Sequence, residues 1–454
     1  MFPAPWNKDP ILDFNQLASS WRIRLKDRRA HRYSAGYWRE CVGVDQYSRE
    51  QLIELQEQRL NALIEHVSEH TAFYRDWAKS SGYTKGDPVE LADLPIVSKA
   101  DIMGRLEEFQ SDTHPVEQMY NFKTSGSSGM PFQFRLHPES LDYSYCCLWR
   151  ALHRFGLRPG DRRVYVWGRS YAFNNSRLAQ AKAKAKIKVR DWMNVTLPVD
   201  AYNLSFENVP KIIDEIEKYQ PTYIHGYVSA IYTIARTLVE EGRTLKVPGL
   251  KVVVTESEKV YDFQRETMEK AFACPIAEHY GSVEFGNIAE PDPDGNMRIN
   301  EDIFLVEREE TGEAVITSLL SQAFPFIRYK LGDLIELDEK IMPGLPYASF
   351  KSIEGRTIDM IPIAGGGHLH GMALAHMMTP HYKHVLKYQI RQIALDHFVV
   401  QVIPKGSLPE LTSKTIIKDL QGLVGAQTTV EVLEVNTIEP AKSGKFRWVI
   451  SDIV

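Results

Sequence analysis

Between residues 163 and 255 the chain alternates short apolar runs with segments of helical period, and that order leaves few ways to fold. The run Arg163–Trp167 (RVYVW) follows the turn Arg158-Pro159-Gly160-Asp161 and reads as a buried strand. Val209, Ile212, Ile213 and Ile216 line one face of a helix, and Tyr223-Ile224 opens the next strand. Helical spacing returns over residues 230–241, and residues 250–255 (LKVVVT) form a further strand. This repetition predicts an α/β body with a largely parallel sheet, because parallel neighbours need helical crossovers. Ligand loops in such sheets lie at the carboxyl ends of the strands.

A chain of 454 residues exceeds what one hydrophobic core supports, so a second domain is expected. From about Asp302 the strand signals shorten (IFLVE, EAVIT, FIRYK, LIEL), and a Gly/His-rich stretch follows Gly355-Arg356. The division expected is a large N-terminal domain over 1–355 and a small, mobile α+β domain over 356–454. The small domain has strand signals at 397–403 and 429–435 and a helix near 414–424. Upstream, Leu52, Leu55, Leu60, Leu63, Ile64 and Val67 recur at helical spacing, and Ser98 caps a short helix starting at Lys99. Residues 1–45 are aromatic and basic without a clear period and read as an extension packed on the body.

The net charge of −5 excludes a generally basic surface that coats nucleic acid. Cys41, Cys146, Cys147 and Cys274 show no CxxC spacing, which suggests a reduced, cytoplasmic setting. Neither a secretion signal nor an apolar run long enough for a membrane span is expected.

Five segments carry candidate chemistry. Lys123-Thr124-Ser125-Gly126-Ser127-Ser128-Gly129-Met130-Pro131 lets backbone N–H groups and hydroxyls approach a polyanion, although Ser/Gly-rich segments by themselves are more often linkers. His279-Tyr280-Gly281-Ser282-Val283-Glu284 offers a ring for a base, a hydroxyl for phosphate and a carboxylate for magnesium. A loop with a core tyrosine and an exposed glutamate is its bland alternative. In Pro325-Phe326-Ile327-Arg328-Tyr329-Lys330-Leu331-Gly332-Asp333 the aspartate suits a ribose diol, or satisfies its own turn. Glu354-Gly355-Arg356 and Lys442-Ser443-Gly444-Lys445 complete the set, the last as a cation on a glycine-flanked loop.

The ordered set of five resembles the adenylate-forming superfamily of acyl-CoA synthetases, peptide-synthetase adenylation domains and luciferases. Within it the chain looks most like the phenylacetate–CoA ligase branch and related proteins of capsular-polysaccharide gene clusters. The likeness runs from about Leu52 to the end and includes Leu94-Pro95-Ile96-Val97-Ser98-Lys99-Ala100-Asp101, Tyr223-Ile224-His225-Gly226-Tyr227-Val228-Ser229-Ala230 and Gln264-Arg265-Glu266. It implies an ATP-dependent ligase that activates a small carboxylic acid as acyl-AMP and passes the acyl group to CoA or an amine. Thr124, Ser125, Gly126, Ser127, Ser128 and Gly129 then match the phosphate-gripping loop. Tyr280 matches the residue flanking adenine, Gly281 and Ser282 the turn near the α-phosphate, and Glu284 the Mg2+ carboxylate. Asp333 matches the ribose ligand, Arg356 the arginine beside the hinge, and Lys445 the adenylating lysine. Ser257 and Glu258 fall where the family lines the adenine pocket. The resemblance also implies rotation of the small domain between half-reactions, and its members are often dimers.

Departures are visible. Ile358 stands where the hinge usually has a charged residue, and Gly365-Gly366-Gly367-His368-Leu369-His370 replaces the commoner segment, so CoA is a less secure acceptor than the adenylate is an intermediate. Residues 290–295 lack the ligands of a zinc knuckle. His368, His370, His376, His381 and His384 read as packing or surface residues rather than a metal site. The basic run 182–188 reads as a solvated edge, and Cys146-Cys147 as core. Two other readings stay open: stable adenylylation of a substrate, and a non-catalytic nucleotide-binding scaffold.

Overall fold

The computed structural model describes residues 34–123, 132–158, 160–168, 191, 195–201, 204, 208–338, 341, 344–356, 360–371, 374, 377–381, 384–438 and 447–453. Thr124 to Gly129, Lys445, Ile358, His376 and the run 182–188 lie outside the described residues. The chain divides into two compact units, one of residues 1–331 with 335–353, the other of 332–334 with 354–454.

The first unit opens with α1 (Ser34–Gly43), where the sequence shows no period, and α2 (Arg49–His70). Ser48 and Gln51 form a capping box at the start of α2, and its Leu52, Leu60, Leu63, Ile64 and Val67 face the core. After α3 (Ala72–Ser81) comes α4 (Lys99–Ile102), capped by Ser98, whose backbone N–H donates to Asp101 at 2.8 Å. Strands β1 (Tyr120–Lys123) and β2 (Gln133–Leu136) pair antiparallel from Tyr120↔Leu136 to Lys123↔Gln133. The Ser/Gly-rich segment therefore connects the two strands of a hairpin. His137 and Pro138 turn the chain directly into α5 (Pro138–Arg154).

The predicted α/β alternation follows as β3 (Arg163–Trp167), β4 (Thr196–Asp200), α6 (Val209–Tyr219), β5 (Tyr223–Tyr227), α7 (Val228–Glu240), β6 (Val252–Glu256), α8 (Asp262–Phe272) and β7 (Ile276–Glu278). These strands form a parallel sheet in the order β4-β3-β5-β6-β7. Leu152 of α5 packs on Tyr223, Val252, Val254 and Ala277 of one face. Gly226 lets β3 and β5 approach, since a Cβ there would lie 2.1 Å from the Val166 carbonyl oxygen.

A larger sheet then forms that the alternation does not announce. It comprises β8 (Tyr280–Ser282), β9 (Gly286–Pro291), β10 (Met297–Ile299), β11 (Phe304–Arg308), β12 (Glu313–Ser318), β13 (Tyr329–Leu337) and β14 (Ser349–Arg356). Its order is β11-β12-β13-β14-β10-β9-β8, and the β11–β12, β14–β10, β10–β9 and β9–β8 pairs are antiparallel. The predicted parallel sheet is thus present, and a second, mainly antiparallel sheet stands beside it in the chain.

A buried polar knot joins α1, α5 and the chain after β10. Arg150 is 2% exposed and Asp302 fully buried. The guanidinium donates to both Asp302 oxygens at 3.0 Å, to Asn300 Oδ1 at 2.8 Å and to the Cys41 carbonyl at 2.8 Å. It also lies over the Tyr347 ring, 4.9 Å from its centroid. The buried Cys41 and Cys147 sulfurs are 3.8 Å apart beside it, and burial pushes the Cys147 thiol well up, so Cys147 remains a packing group.

In the second unit, β15 (Met360–Pro362) and β16 (His368–His370) form a hairpin, followed by β17 (Val385–Ala394), β18 (His397–Pro404), α9 (Glu410–Val424), β19 (Thr429–Glu434) and β20 (Val449–Ser451). The order β19-β18-β17-β20 gives a four-stranded sheet, with Ile416, Leu420 and Val424 of α9 in its core. No described helix is long and apolar enough to cross a membrane.

Removing Arg150 leaves the Asp302 carboxylate buried without its partner, which typically costs about 3–5 kcal/mol. Arg150→Ala is expected to lower the unfolding free energy measured by urea titration by that amount, and Asp302→Asn in the same background to recover part of it.

Candidate active site

The carboxyl ends of β3, β5 and β6 collect polar and aromatic side chains on one face. Registers Tyr165↔His225↔Val254 and Tyr227↔Glu256 put Tyr165, Trp167, His225, Tyr227 and Glu256 together, because side chains alternate along a strand. Tyr165 stacks on Trp167 at 5.3 Å, and the Trp167 and Tyr227 centroids are 4.0 Å apart. His225 Nε2 donates to Glu256 at 2.8 Å.

The chain leaves β6 through Ser257, an exposed residue with φ of +71°. A non-glycine residue held there is strained, as is common where a strand end serves a site. The next residue, Glu258, accepts the backbone N–H of Ser229 at 2.7 Å and its hydroxyl at 3.0 Å. The carboxylate expected to line a nucleotide pocket therefore also caps the N-terminus of α7, where the helix dipole favours negative charge. Sequence spacing gives no sign of that contact.

His279 joins the two sheets. Its N–H donates to the Thr255 carbonyl of β6 at 2.9 Å, and its ring Nδ1 donates to Glu290 of β9 at 2.8 Å. Burial opposes protonation of this ring, but the Glu290 charge and hydrogen bond outweigh it, and the imidazole is pushed up to about 9. Among the described residues Glu290 Oε1 has no hydrogen-bond partner, so His279 is the principal compensation of this carboxylate.

Tyr280 follows, half-buried, with its ring edge-on to Phe350 at 5.4 Å. Gly281 sits where a Cβ would lie 2.2 Å from the Gly286 carbonyl oxygen, so only glycine closes this hairpin. At the tip, Ser282 Oγ accepts the Phe285 N–H at 3.3 Å, Phe285 is buried, and Val283 is 50% exposed. Glu284 stands half-buried between them and makes no hydrogen bond or ion pair among the described residues. A hard carboxylate held on a rigid tip without a protein partner fits a divalent-cation ligand. The one group of three metal-type donors among the described residues, Cys41, Cys147 and Asp302, is instead committed to Arg150.

Asp333 lies on β13 and is 8% exposed, preceded by Gly332 with φ of +87°. Arg356 ends β14. The charged residues beside Asp333 have structural work. Arg328 binds Glu307 at 3.1 and 3.0 Å and the carbonyls of Ala92 and Leu94 at 3.0 and 2.8 Å. Lys330 reaches Glu309 and Glu313 at 2.6 and 2.5 Å. Val97 pairs with Tyr329, so the Leu94–Asp101 stretch is held against β13. Arg328 and Lys330 thus fasten the strand that carries Asp333. In the histidine-rich stretch, His381 is buried and pairs with Asp419 at 3.0 Å. Gly366 and Gly367, both at φ +86°, form the turn between β15 and β16, which accounts for the glycine run.

Comparison with known proteins shows what the chain as a whole is similar to. Residues 363–452 match the CapK C-terminal domain. The chain is 25% identical to Protein CapK of Staphylococcus aureus over 99% of both chains. It is 25% identical to Phenylacetate-coenzyme A ligase of Escherichia coli (strain K12), over 88% of this chain and 95% of the ligase. A crystal structure of 2-hydroxyisobutyryl-CoA ligase in the postadenylation state, in complex with R3-HIB-AMP, matches 90% of this chain and 91% of its own. The TM-score is 0.69 at 19% identity. The fold is that of the adenylate-forming CoA ligases.

In an adenylate-forming fold, the seam at His279 sets the direction of the segment carrying Tyr280 and Glu284. The folded ring keeps its proton to about pH 9, whereas an unfolded imidazole releases it near 6.5. The pair's stabilisation is fully present below pH 6.5 and is lost as pH rises through about 9. The free energy of unfolding is expected to fall by ~3 kcal/mol across that window. Urea titrations at several pH values test this, and His279→Gln should flatten the profile.

Proposed function

We propose that this protein activates a carboxylic acid with ATP, releasing pyrophosphate, and passes the acyl group from acyl-AMP to CoA. The observation that carries this reading is Glu284, without a hydrogen-bond or ion-pair partner among the described residues, on a hairpin at the seam of two sheets, in a chain related along its length to CapK and phenylacetate–CoA ligases.

The substrate carboxylate attacks the α-phosphorus, a P–O bond forms, and the bond to the bridging oxygen breaks as pyrophosphate leaves. Thr124 to Gly129, between β1 and β2, bind the β- and γ-phosphates through N–H and hydroxyl donors. Tyr280 flanks adenine, Ser282 bonds the α-phosphate, and Asp333 and Arg356 hold the ribose side. Lys445 supplies an ammonium where negative charge builds. Glu284 would hold Mg2+, which neutralises phosphate charge when bound. In the second half-reaction the CoA thiolate attacks the acyl carbonyl and AMP leaves. CoA is favoured because the ligase relatives are named for it, and the glycine run that departs from the family is explained by its own turn.

Acid-dependent pyrophosphate exchange, screened over a panel of carboxylic acids with and without CoA, tests this reading. Lys445→Ala is expected to slow exchange by about 100-fold or more, since a preorganised charge at the transition state is worth ~3 kcal/mol. An unchanged rate removes Lys445 from the reaction. Asp333→Ala is expected to weaken ATP binding, measured by calorimetry, with little effect on acid preference.

A further inference from the structure

Serine is an unfavourable choice for the buried middle of a helix, because its hydroxyl competes with the helical hydrogen bonds. Ser144 nevertheless sits in the middle of α5 at 4% exposure. Its Oγ accepts the backbone N–H of Asn287 at 2.9 Å, and its own carbonyl oxygen accepts Asn287 Nδ2 at 2.8 Å. Asn287 is the second residue of β9, three positions after Glu284. Gly286 lies over the same hydroxyl, and a Cβ there would come within 2.5 Å of Ser144 Oγ. A side chain at position 286 would therefore lift the hairpin off the helix.

The anchor continues inward. Asn300 Nδ2 donates to the Asn287 carbonyl at 2.9 Å, and Arg150 donates to Asn300 at 2.8 Å. Asn287 thus meets α5 twice through Ser144 and once more, through Asn300, by way of Arg150 two turns along the same helix. The register shift between Tyr280 and Gly281 lies opposite this point, so the hairpin is bent where it is fastened.

The other end of α5 leads straight from β2, and the Ser/Gly-rich segment joins β1 to β2. One helix therefore connects β2 to the hairpin whose tip carries Glu284.

We infer that Ser144 is a positioning residue that fixes the Glu284 hairpin on α5 through its paired hydrogen bonds with Asn287. The inference rests on the proposed adenylating role of Glu284. Ser144 touches neither nucleotide nor acid; it acts through the hairpin. A shift of about 1 Å in a reacting group can cost 100-fold in rate, so loss of one anchoring bond should register as a loss of about tenfold.

The test uses the full-length chain with ATP and no acid, so that nucleotide is not consumed. Mn2+ uptake is followed by electron paramagnetic resonance for the unaltered protein, Ser144→Ala and Asn287→Ala, with Glu284→Gln as the reference for complete loss. Each anchor variant removes one of the two hydrogen bonds and leaves the other, so one informs if the other fails to fold. Both are expected to bind Mn2+ about tenfold more weakly and to lower the maximal pyrophosphate-exchange rate about tenfold, with KM for the acid within about threefold. Unchanged Mn2+ affinity and exchange rate, even with a lower melting temperature, would make Ser144 a packing residue and overturn the inference. Absence of ATP-dependent Mn2+ uptake in the unaltered protein would instead remove the metal role of Glu284, and the positioning role with it.

Discussion

The contact on which the site depends is the buried pair between His279 and Glu290. His279 belongs to both sheets: its backbone bonds to β6 of the parallel sheet and its ring to β9 of the antiparallel one. Were either bond absent, the peptide leaving β7 would have no fixed direction, and Tyr280 and Glu284 would lose their common frame. A buried ion pair is a poor source of net stability, but it selects one arrangement, because a rotated ring leaves a charge buried without compensation. That selectivity fixes the direction of the segment that follows β7.

Around this seam the glycines are geometric necessities. Gly226 brings β3 against β5, and Gly281 closes the β8–β9 hairpin under the Gly286 carbonyl. The aromatic group Tyr165, Trp167 and Tyr227, with the His225–Glu256 pair, fills the face next to the seam. On the far side, α5 fastens the Glu284 hairpin through Ser144 and Arg150. Between these surroundings Val283 is the exposed residue of the tip and Glu284 stands half-buried beside it.

The parallel sheet was legible in the sequence because β5 and β6 are apolar runs separated by segments of helical period. The antiparallel sheet was not, because its partners are distant: β10 pairs with β14 some fifty residues on, and nothing local in Met297–Ile299 specifies that choice. Helix α1 escaped notice because its aromatic and basic residues lack a sustained apolar period. The motif positions Tyr280, Ser282, Glu284 and Asp333 were readable as a set, and the structure places the first three on one hairpin. The duties of neighbouring residues were hidden. Glu258 caps a helix, Arg328 and Lys330 hold β13 through remote acids, and Ser144 supports a hairpin over 140 residues away. Such contacts depend on the tertiary fold, and no spacing rule reveals them.

The central claim is that a carboxylate oxygen becomes bonded to the α-phosphorus of ATP. Incubating the protein with ATP, CoA and a panel of acids labelled with oxygen-18 in the carboxyl group, followed by mass analysis of the nucleotide, addresses it directly. The account predicts AMP that carries one labelled oxygen, formed together with unlabelled pyrophosphate. Unlabelled AMP, or ADP and phosphate as the products of acid turnover, would contradict it.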